Sequence, residues 1–415
     1  MLNKQKLNII LLFSLSLLTA CNITSDYGTD EWHQYRMSET KNAVYDNGED
    51  PLESTVFETS SEIRATPVIA KDKLFIGNHG TGDLFAFDIH TGKEIWQNQA
   101  PNWVHSEMIF HDDKVFVGTG NRMFQENGIR GTGESGVLAL NADDGEIIWK
   151  FNTDGEVMPT PVYYNNAIYA ATGDRHLYKL DADTGEFLDK VDIGSTISMS
   201  SPNLSDDTLF VGGSGPLPYT FTAYDLLTDE LKWQTPFEDV VSGLDDVPPA
   251  VFDNKVVTTA LEEAESEGDP KLYDHMIYAM DTETGEVLWE ERLGTGAGVA
   301  NNKSGAPMIY EGKIYVGSPV TKTFYAYELK TGQKIWEFEN QPIKAPPVAK
   351  DGIVYFSNVK GEVYALNAKT GDVIAKKELG GILAPAGPVI VNETLFIGSQ
   401  DSNVYAVPLE EFMSE

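Results

Sequence analysis

The chain has 415 residues, with 30 Lys and Arg against 64 Asp and Glu, which gives a formal net charge of −34 at pH 7. A field of this sign repels nucleic acid and anionic lipid headgroups, so no nucleic-acid partner is expected. Cys21 is the single cysteine, which excludes an intramolecular disulfide and metal sites built from several thiolates.

The first 20 residues have the organisation of a bacterial export signal. Two lysines precede the apolar stretch Leu7 to Ala20, which is too short for a mature transmembrane helix. It ends in Leu18-Thr-Ala-Cys21, which resembles a lipobox, and this resemblance implies cleavage before Cys21 and lipid attachment to its thiol. Residues 1–20 are therefore predicted to be a lipoprotein signal peptide. An ordinary signal peptide with an incidental cysteine is the alternative.

Lipidation predicts a membrane anchor in the bacterial cell envelope, on the extracytoplasmic side of the cell membrane or the outer membrane. An acylated Cys21 also leaves the mature chain without a free thiol, which excludes thiolate catalysis. Residues 21–53 are predicted to be a lipidated tether followed by a lead-in segment, with the polar stretch Asn22 to Asp30 as a flexible linker.

A strand–turn–strand phrase recurs along the chain. It occurs at Ala86 to Trp96, at Ala279 to Trp289 and at Ala326 to Trp336, with looser copies that start at Ala139, Lys179, Ala223 and Ala365. Most copies join two apolar, β-prone segments through an Asp/Asn-x-x-Thr-Gly turn, which is the chemistry of a β-hairpin. Two more short strands precede each hairpin. One unit thus has four antiparallel strands in about 40–50 residues, the pattern of a propeller blade.

The number of units follows from the residue that opens each of them. There are eight openings, seven of them proline: Pro67, Met108, Pro161, Pro202, Pro249, Pro307, Pro347 and Pro388. The eighth unit ends without an outer strand, and we predict that the β-prone segment Ser54 to Thr59 supplies it. The predicted fold is all-β: an eight-bladed β-propeller of four-stranded antiparallel blades over residues 54–415, closed by an N-terminal strand. Seven blades with a stray hairpin is the alternative.

Five tryptophans occupy the same position in their units: Trp96, Trp149, Trp233, Trp289 and Trp336. Repetition at one position favours a structural role, in which each indole packs between neighbouring blades. An aromatic surface that binds sugar is the alternative. Asp189 and Ala375 hold this position in units three and seven, which predicts weaker packing at those two seams.

The position three residues before each opening is expected to face the central channel. It holds Arg64, His105, Met158, Met199, Asp246, Ser304, Lys344 and Pro385. The five polar residues of this set are the candidate funnel-lining side chains. Their charges are of mixed sign and they come from different blades, which predicts a water-filled channel with satisfied polar walls rather than a catalytic or metal centre.

The repeated phrase resembles the pyrroloquinoline-quinone-like (PQQ-like) propeller repeat over Phe57 to Val407, because several copies agree at Ala, Asp, Thr-Gly and Trp. Glu31 to Arg36 also resembles the Trp-x-x-Tyr/Phe-Arg segment that often precedes the first blade in this family. The family contains quinone-dependent alcohol and glucose dehydrogenases. It also contains non-enzymatic envelope lipoproteins, one of which serves the assembly of outer-membrane β-barrels. Together with Cys21, the resemblance favours the second group.

The resemblance also provides a test for an enzyme. Alcohol dehydrogenases of the family commonly carry a vicinal Cys-Cys pair and ligate calcium with a Glu, an Asn and an Asp. This chain cannot carry the pair, and no ligand set transfers residue by residue. A quinone with three carboxylates also requires several converging cations, and only Arg64 and Lys344 qualify. We therefore predict no catalytic residue, no PQQ, no calcium and no other metal, with a small PQQ-dependent dehydrogenase as the alternative.

The predicted function is a non-enzymatic, lipid-anchored scaffold that binds an envelope protein or protein complex. In a host with an outer membrane, the specific role is outer-membrane protein assembly. The longest insertions, Gly120 to Gly136 and Leu261 to His275, are the predicted docking segments, and the acidic run Leu261 to Pro270 is expected to be a mobile loop. A monomer is predicted. A carbohydrate- or cell-wall-binding module that uses Trp103 or Tyr219 is the remaining alternative.

Overall fold

Eight antiparallel sheets make up the part of the chain that the computed structural model describes, residues 31–265 and 271–413. Cys21 and the predicted signal peptide lie outside these residues. The first strand of a typical sheet is almost entirely buried, whereas the fourth alternates between exposed and less exposed residues. The sheets are therefore propeller blades, with their first strands around a central channel and their fourth strands at the rim.

The strands follow one another along the chain in blade order. Two strands precede the first blade: β1 (Val44–Tyr45) and β2 (Thr55–Glu58). Blades 1 and 2 contain β3 (Val68–Ala70), β4 (Lys73–Gly77), β5 (Asp83–Asp88), β6 (Glu94–Gln99), β7 (Ile109–His111), β8 (Lys114–Thr119), β9 (Gly136–Asn141) and β10 (Ile147–Asn152). Blades 3 and 4 contain β11 (Val162–Tyr164), β12 (Ala167–Ala171), β13 (His176–Asp181), β14 (Phe187–Asp192), β15 (Asn203–Ser205), β16 (Thr208–Gly213), β17 (Tyr219–Asp225) and β18 (Glu230–Phe237).

Blade 5 has five strands, as does the last sheet, which β1 and β2 both join. It contains β19 (Val240–Ser242), β20 (Ala250–Phe252), β21 (Lys255–Glu263), β22 (Leu272–Asp281) and β23 (Val287–Ala297). Both β19 and β20 pair with β21. Blades 6 to 8 contain β24 (Pro307–Tyr310), β25 (Lys313–Ser318), β26 (Thr323–Glu328), β27 (Lys334–Glu339), β28 (Val348–Lys350), β29 (Ile353–Ser357), β30 (Glu362–Asn367), β31 (Val373–Glu378), β32 (Val389–Val391), β33 (Thr394–Gly398) and β34 (Asn403–Pro408).

The last blade takes its outer strand from the start of the chain. β2 pairs antiparallel with β34, from Thr55 opposite Ala406 to Glu58 opposite Asn403. This pairing confirms the eight-bladed ring closed by an N-terminal strand and excludes the seven-bladed alternative. The only α-helix within residues 31–265 and 271–413 is α1 (Leu409–Met413), so no described helix has the length to cross a bilayer.

A tryptophan in one blade packs against the turn of the next blade. The indole of Trp149 donates to the carbonyl of Ala182 at 3.0 Å, and a Cβ on Gly185 would lie within 2.5 Å of its ring. The other four indoles donate in the same way, Trp96 to Ala142, Trp233 to Thr282, Trp289 to Leu329 and Trp336 to Ala368. Glycine is thus required at this turn for two reasons. Its φ is positive, and the indole that covers it leaves no room for a Cβ atom.

The two units without this tryptophan obey the same rule. Unit three has Asp189, and the next blade has Asp229 where the other turns have glycine. Lys179 forms an ion pair with Asp229 at 2.9 Å across this seam. Unit seven has Ala375, and the blade that follows it has no outer turn, because its outer strand is β2. Tryptophan is therefore missing where the next blade offers no turn glycine.

The hairpin of blade 5 is longer than expected. Leu261 and Glu263 belong to β21 and pair with His275 and Tyr273 of β22. The prediction of a loop was therefore wrong for residues 261–263, because these residues pair with β22 and extend the sheet. Residues 266–270 of the acidic run lie outside the described part of the chain.

Residues 31–45, hereafter the axial segment, run around the inside of the channel and contact the first strand of every blade. Trp32 exchanges two backbone hydrogen bonds with Phe110 of β7, and its indole donates to Ile69 of β3. The circuit continues through hydrogen bonds to Tyr163, Leu204, Val251, Ile309 and Ala349. It ends where β1 pairs in parallel with β32. The axial segment closes one end of the channel.

Candidate functional site

Next to the axial segment, the channel contains a cavity of about 40 Å³. Most of the residues predicted to face the channel line it: Arg64, His105, Met158, Met199, Asp246, Lys344 and Pro385. Ser304 is not among them, because its buried hydroxyl lies 2.7 Å from His275 Nε2 and 2.8 Å from Thr259 Oγ1. The structure thus brings together all the candidate funnel-lining residues except Ser304.

Some polar groups of this axial cavity are held by their neighbours, whereas the buried atoms Arg64 Nε and His105 Nε2 have no hydrogen-bond partner among the described residues, so the prediction of fully satisfied polar walls was wrong for these two. Lys344 Nζ donates to the carbonyls of Ala300 and Asn301 at 3.0 and 2.8 Å, and Asp246 accepts a backbone hydrogen bond at 3.1 Å. Burial lowers the pKa of His105 to about 4, so this side chain is neutral at pH 7. Cofactor pockets span about 300–1,000 Å³. A cavity of this size has room for water and not for a cofactor.

The axial segment places two fully buried cations beside the cavity. Arg36 donates from Nε to the carbonyl of Lys41 at 2.9 Å, and from Nη2 to the carbonyls of Pro347 and Pro388 at 2.8 and 2.9 Å. Burial lowers the pKa of Lys41 to about 7. Glu107 accepts from the backbone nitrogen of Arg36 at 2.7 Å, and burial raises its pKa to about 8. This end of the channel is sealed by side chains that hydrogen-bond one another and the first strands.

The other end of the channel opens into a pocket of about 730 Å³, hereafter the mouth pocket. Its walls are mainly loops that follow the second and the outermost strands of blades 2 to 5, and it shares Met199 and Asp246 with the axial cavity. Four cationic side chains line it: Arg122, Arg130, Arg175 and Lys303. The chain has 6 arginines in all. Half of them therefore face one pocket of a strongly acidic protein.

These cations are held in different ways. Arg130 is buried, with Nη1 3.5 Å from Glu156 Oε1. Arg122 and Lys303 hydrogen-bond to neutral side-chain oxygens. Within the described residues, no carboxylate lies at ion-pair distance from Arg122, Arg175 or Lys303, and the guanidinium of Arg175 has no hydrogen-bond partner. Three cations thus face the mouth pocket without a paired carboxylate.

Three carboxylates belong to the same pocket. Asp174 accepts from the Tyr178 hydroxyl at 2.8 Å. Burial, and to a smaller extent the negative charge of Asp246, raise the pKa of Asp245 to about 7. Behind them, burial raises the pKa of Glu156 to about 8. The carboxylates therefore carry less charge at neutral pH than their number suggests, while the arginines stay protonated. A concave pocket with this balance suits a small anion.

The cations of the mouth pocket would suit the carboxylates of a quinone, whereas no trio of His, Asp or Glu ligand atoms forms in the mouth pocket or the axial cavity within the described residues. Among the described residues, two groups of three His, Asp or Glu side chains bring their ligand atoms within 4.8 Å of one another, and neither group lies in the mouth pocket or the axial cavity. His105, Glu107, Asp245 and Asp246 thus do not assemble into a metal centre there.

The sequence did not single out the pocket arginines. Arg122 and Arg130 lie in the insertion after β8, predicted as a docking segment, and Arg175 lies in the short loop after β12. The three arginines do not occupy the same position in their units, so an alignment of the units does not identify them. The available signal was that all three follow the second strand of a blade, and such loops share one face of a propeller. Of the candidate sugar-binding residues, Tyr219 lines the pocket, and Trp103 packs on His79 with ring centroids 5.0 Å apart.

Comparison with known proteins gives relatives of two kinds. The tetrathionate hydrolase of Acidithiobacillus ferrooxidans is 28% identical over 352 residues, which cover 79% of this chain and 70% of the hydrolase. The outer membrane protein assembly factor BamB of Burkholderia pseudomallei is 24% identical over 348 residues, which cover 82% of this chain and 83% of that protein. An outer membrane protein assembly factor and a hydrolase are thus both represented among proteins similar to this one.

Solved structures of low sequence identity share the fold. BamB from Moraxella catarrhalis matches with a TM-score of 0.62 and 17% identity, covering 85% of this chain and 99% of that one. Quinohemoprotein alcohol dehydrogenase from Comamonas testosteroni matches with a TM-score of 0.67 and 13% identity, covering 92% and 81%. The family model described as outer membrane protein assembly factor BamB matches residues 19–132, 127–236 and 189–411, and the chain belongs to this family of PQQ-like propellers.

Proposed function

We propose that this protein is a non-enzymatic, lipid-anchored scaffold that binds an envelope protein or protein complex on the extracytoplasmic side of a bacterial membrane. The observation that carries the proposal is a group of exposed apolar side chains at the mouth of the channel. Met123 and Phe124 are 55% and 67% exposed, and Leu217 is 76% exposed. Phe124 and Leu217 both line the mouth pocket. Exposed apolar residues grouped on a rigid frame are typical of a surface that binds protein.

The position of the axial segment supports an orientation for this scaffold. The described chain begins at Glu31, beside His111 at the end of β7 and on the sealed side of the ring. A lipid on Cys21 would be separated from Glu31 by nine residues. The sealed face would then lie towards the membrane, and the mouth with its apolar side chains would face away from it. This arrangement leaves the exposed loops free to meet a partner.

The proposed partner depends on the host. Relatives of this chain carry the description of outer membrane protein assembly factors. In a host with an outer membrane, we expect the partner to be the machinery that assembles β-barrel proteins. In a host without one, we expect another protein of the cell envelope.

The test is a crosslinking pull-down of the membrane-anchored protein from its native host, with partners identified by mass spectrometry. The double variant Phe124→Ser/Leu217→Ser is compared with Leu188→Ser/Ile374→Ser, which removes apolar side chains of 48% and 42% exposure from fourth strands at the rim. We expect a partner recovered with the wild type and with the rim variant and lost with the mouth variant. Loss of the same partner with the rim variant alone would contradict docking at the mouth.

A second candidate function is an enzyme that acts on a small anion in the mouth pocket. The three unpaired cations of the pocket favour it, and a relative of this chain is described as a tetrathionate hydrolase. The test is to incubate the purified protein with tetrathionate and follow its loss, with Asp245→Asn as the comparison. Loss that depends on Asp245 would support the enzyme, and an unchanged tetrathionate concentration would count against it while leaving the scaffold proposal intact.

A further inference from the structure

Three side chains converge on one point at the sealed face of the ring, far from the mouth pocket. His33 Nε2 lies 3.0 Å from His111 Nδ1. Glu31 Oε2 lies 2.7 Å from the same nitrogen of His111 and 3.5 Å from His33 Nε2. All three side chains are partly exposed. Two imidazole nitrogens and one carboxylate oxygen thus share a single small space that opens to solvent.

The backbone explains why these residues meet. Trp32 and Phe110 form an antiparallel pair through two hydrogen bonds of 2.9 and 3.0 Å. Side chains alternate along such a pair, so Glu31 and His33 share one face while Trp32 enters the core from the other. His111 follows Phe110 on the partner strand and comes diagonally opposite His33.

A neighbouring blade fixes the same group. The backbone nitrogen of Tyr163 donates to the carbonyl of His33 at 2.8 Å. The ring of Tyr163 stacks on His111 with centroids 3.8 Å apart, and lies tilted beside His33 with centroids 5.1 Å apart. The side chains are therefore placed by blades 2 and 3 together. Preorganisation of this kind is what a binding site requires.

The three atoms have too few protons for mutual hydrogen bonds. His33 Nε2 and Glu31 Oε2 both approach Nδ1 of His111, which can donate at most one proton. A cation satisfies all three at once. An ion about 1.1 Å out of the plane of these atoms would lie about 2.1 Å from each of them, which is the distance of zinc from its nitrogen and oxygen ligands.

We infer that Glu31, His33 and His111 form a binding site for a divalent transition-metal ion, with zinc as the ion that fits best. Two imidazoles and one carboxylate are a ligand set that first-row metals from cobalt to zinc accept, whereas calcium and magnesium prefer oxygen ligands. The remaining coordination position opens to solvent. The bound ion would join the start of the axial segment to blade 2, at the point where the chain enters the ring. Its role would be to fasten the sealed end.

The second group of potential ligands provides a matched control. Glu49, Asp72 and His90 also bring their ligand atoms within 4.8 Å of one another, but all three are exposed. Glu49 precedes β2, Asp72 lies in the turn between β3 and β4, and His90 lies in the turn after β5. This exposed group carries no proposal, and it differs from the first group in the backbone pair and the stacked tyrosine.

The experiment uses the full-length chain in detergent, purified without a histidine tag and stripped of metal with a chelator. Titration with Co²⁺ is followed by its visible absorption, and bound Co²⁺ is then displaced with Zn²⁺. We expect one ion per chain, displaced by one equivalent of Zn²⁺. We expect Co²⁺ affinity to fall about 100-fold or more in His33→Gln and His111→Gln and to stay unchanged in His90→Gln.

Thermal unfolding separates loss of the site from loss of the fold. Melting of each variant in chelator should match the wild type, and Zn²⁺ should raise the melting temperature of the wild type and His90→Gln only. Glu31→Gln offers a third variant if either histidine variant melts early in chelator. The inference is overturned if no saturable 1:1 absorption appears, or if it persists in both histidine variants. The scaffold proposal does not depend on the outcome.

Discussion

The two ends of the channel use the same residue types in opposite ways. At the sealed end, Arg36 and Lys41 are fully buried and donate to carbonyl and amide oxygens of the axial segment and the first strands. At the mouth, Arg122 and Arg175 are exposed, and no carboxylate in the described part of the chain is paired with them. A ring of eight first strands leaves polar groups around its axis at both ends. The segment that covers these polar groups therefore decides whether an end of the channel is structural or free to bind a ligand.

Removal of Arg36 should give the largest effect, because it opens the sealed end. Arg36→Ala leaves the carbonyls of Lys41, Pro347 and Pro388 without their donor and creates a cavity beside Glu107. Loss of one partner from a buried charged network costs about 3–5 kcal/mol. We expect the free energy of unfolding in urea to fall by this amount.

Arg292→Ala is the control for the sealed end. Arg292 has a side chain that is 61% exposed and lies 3.6 Å from Asp274. Its removal should change the free energy of unfolding by less than about 0.5 kcal/mol. Equal losses in Arg36→Ala and Arg292→Ala would mean that the axial segment does not stabilise the ring.

The second prediction concerns the pH dependence of stability at the boundary between the two ends. Burial raises the pKa of Glu156 to about 8, from an ordinary value near 4.5. The folded protein therefore holds a proton on this group that the unfolded chain releases, and the stability from it is lost as the pH rises from 4.5 to 8. Glu156→Gln should flatten the fall in unfolding free energy between pH 5 and pH 7, by up to the one-proton limit of about 1.4 kcal/mol per pH unit.

Other buried groups also contribute to the slope of stability against pH, and a control variant at an exposed glutamate is needed. Glu107 and Asp245, whose pKa values burial also raises, to about 8 and about 7, keep part of the slope in the variant. The lowered pKa values of Lys41, about 7, and of His105, about 4, act with the opposite sign, above pH 7 and below about pH 6.5 respectively. Both proteins keep these groups, so the difference in slope between Glu156→Gln and the wild type reports on Glu156 alone. Glu94→Gln, on an exposed position of β6, should keep the wild-type slope. An unchanged slope in Glu156→Gln would show that this carboxyl is ionised in the folded protein.

The ring of blades was predictable because the same packing contacts recur from one blade to the next. Five of the turn glycines accommodate a left-handed backbone and the indole of the preceding blade, so tryptophan and glycine recur together, and the exceptions Asp189 and Asp229 occur as a pair. The position before each opening also predicted the walls of the axial cavity. Ser304 is the exception, because its hydroxyl hydrogen-bonds with Thr259 of β21 and His275 of β22.

The two ends were not predictable because they follow no repeat. The axial segment is held by backbone groups of eight strands spread over some 320 residues, and backbone partners leave no mark in side-chain pattern. The mouth pocket draws on Arg122, Arg130 and Arg175, which lie in loops of different length. Their side chains meet only because loops after second strands share one face of a propeller, a property of the fold rather than of any unit.

The smallest effect on stability is expected at the mouth, where a single side chain tests whether the pocket binds anions. The guanidinium of Arg175 has no hydrogen-bond partner within the described residues, so Arg175→Gln should change the free energy of unfolding by less than about 0.5 kcal/mol. If Arg175 helps to hold an anion, the same change should weaken binding of sulfate about tenfold, measured by calorimetry at constant ionic strength. Arg292→Gln should leave sulfate binding unchanged. Equal affinity in Arg175→Gln and the wild type would mean that the exposed cations at the mouth are solvated, and that the two ends differ in burial but not in binding.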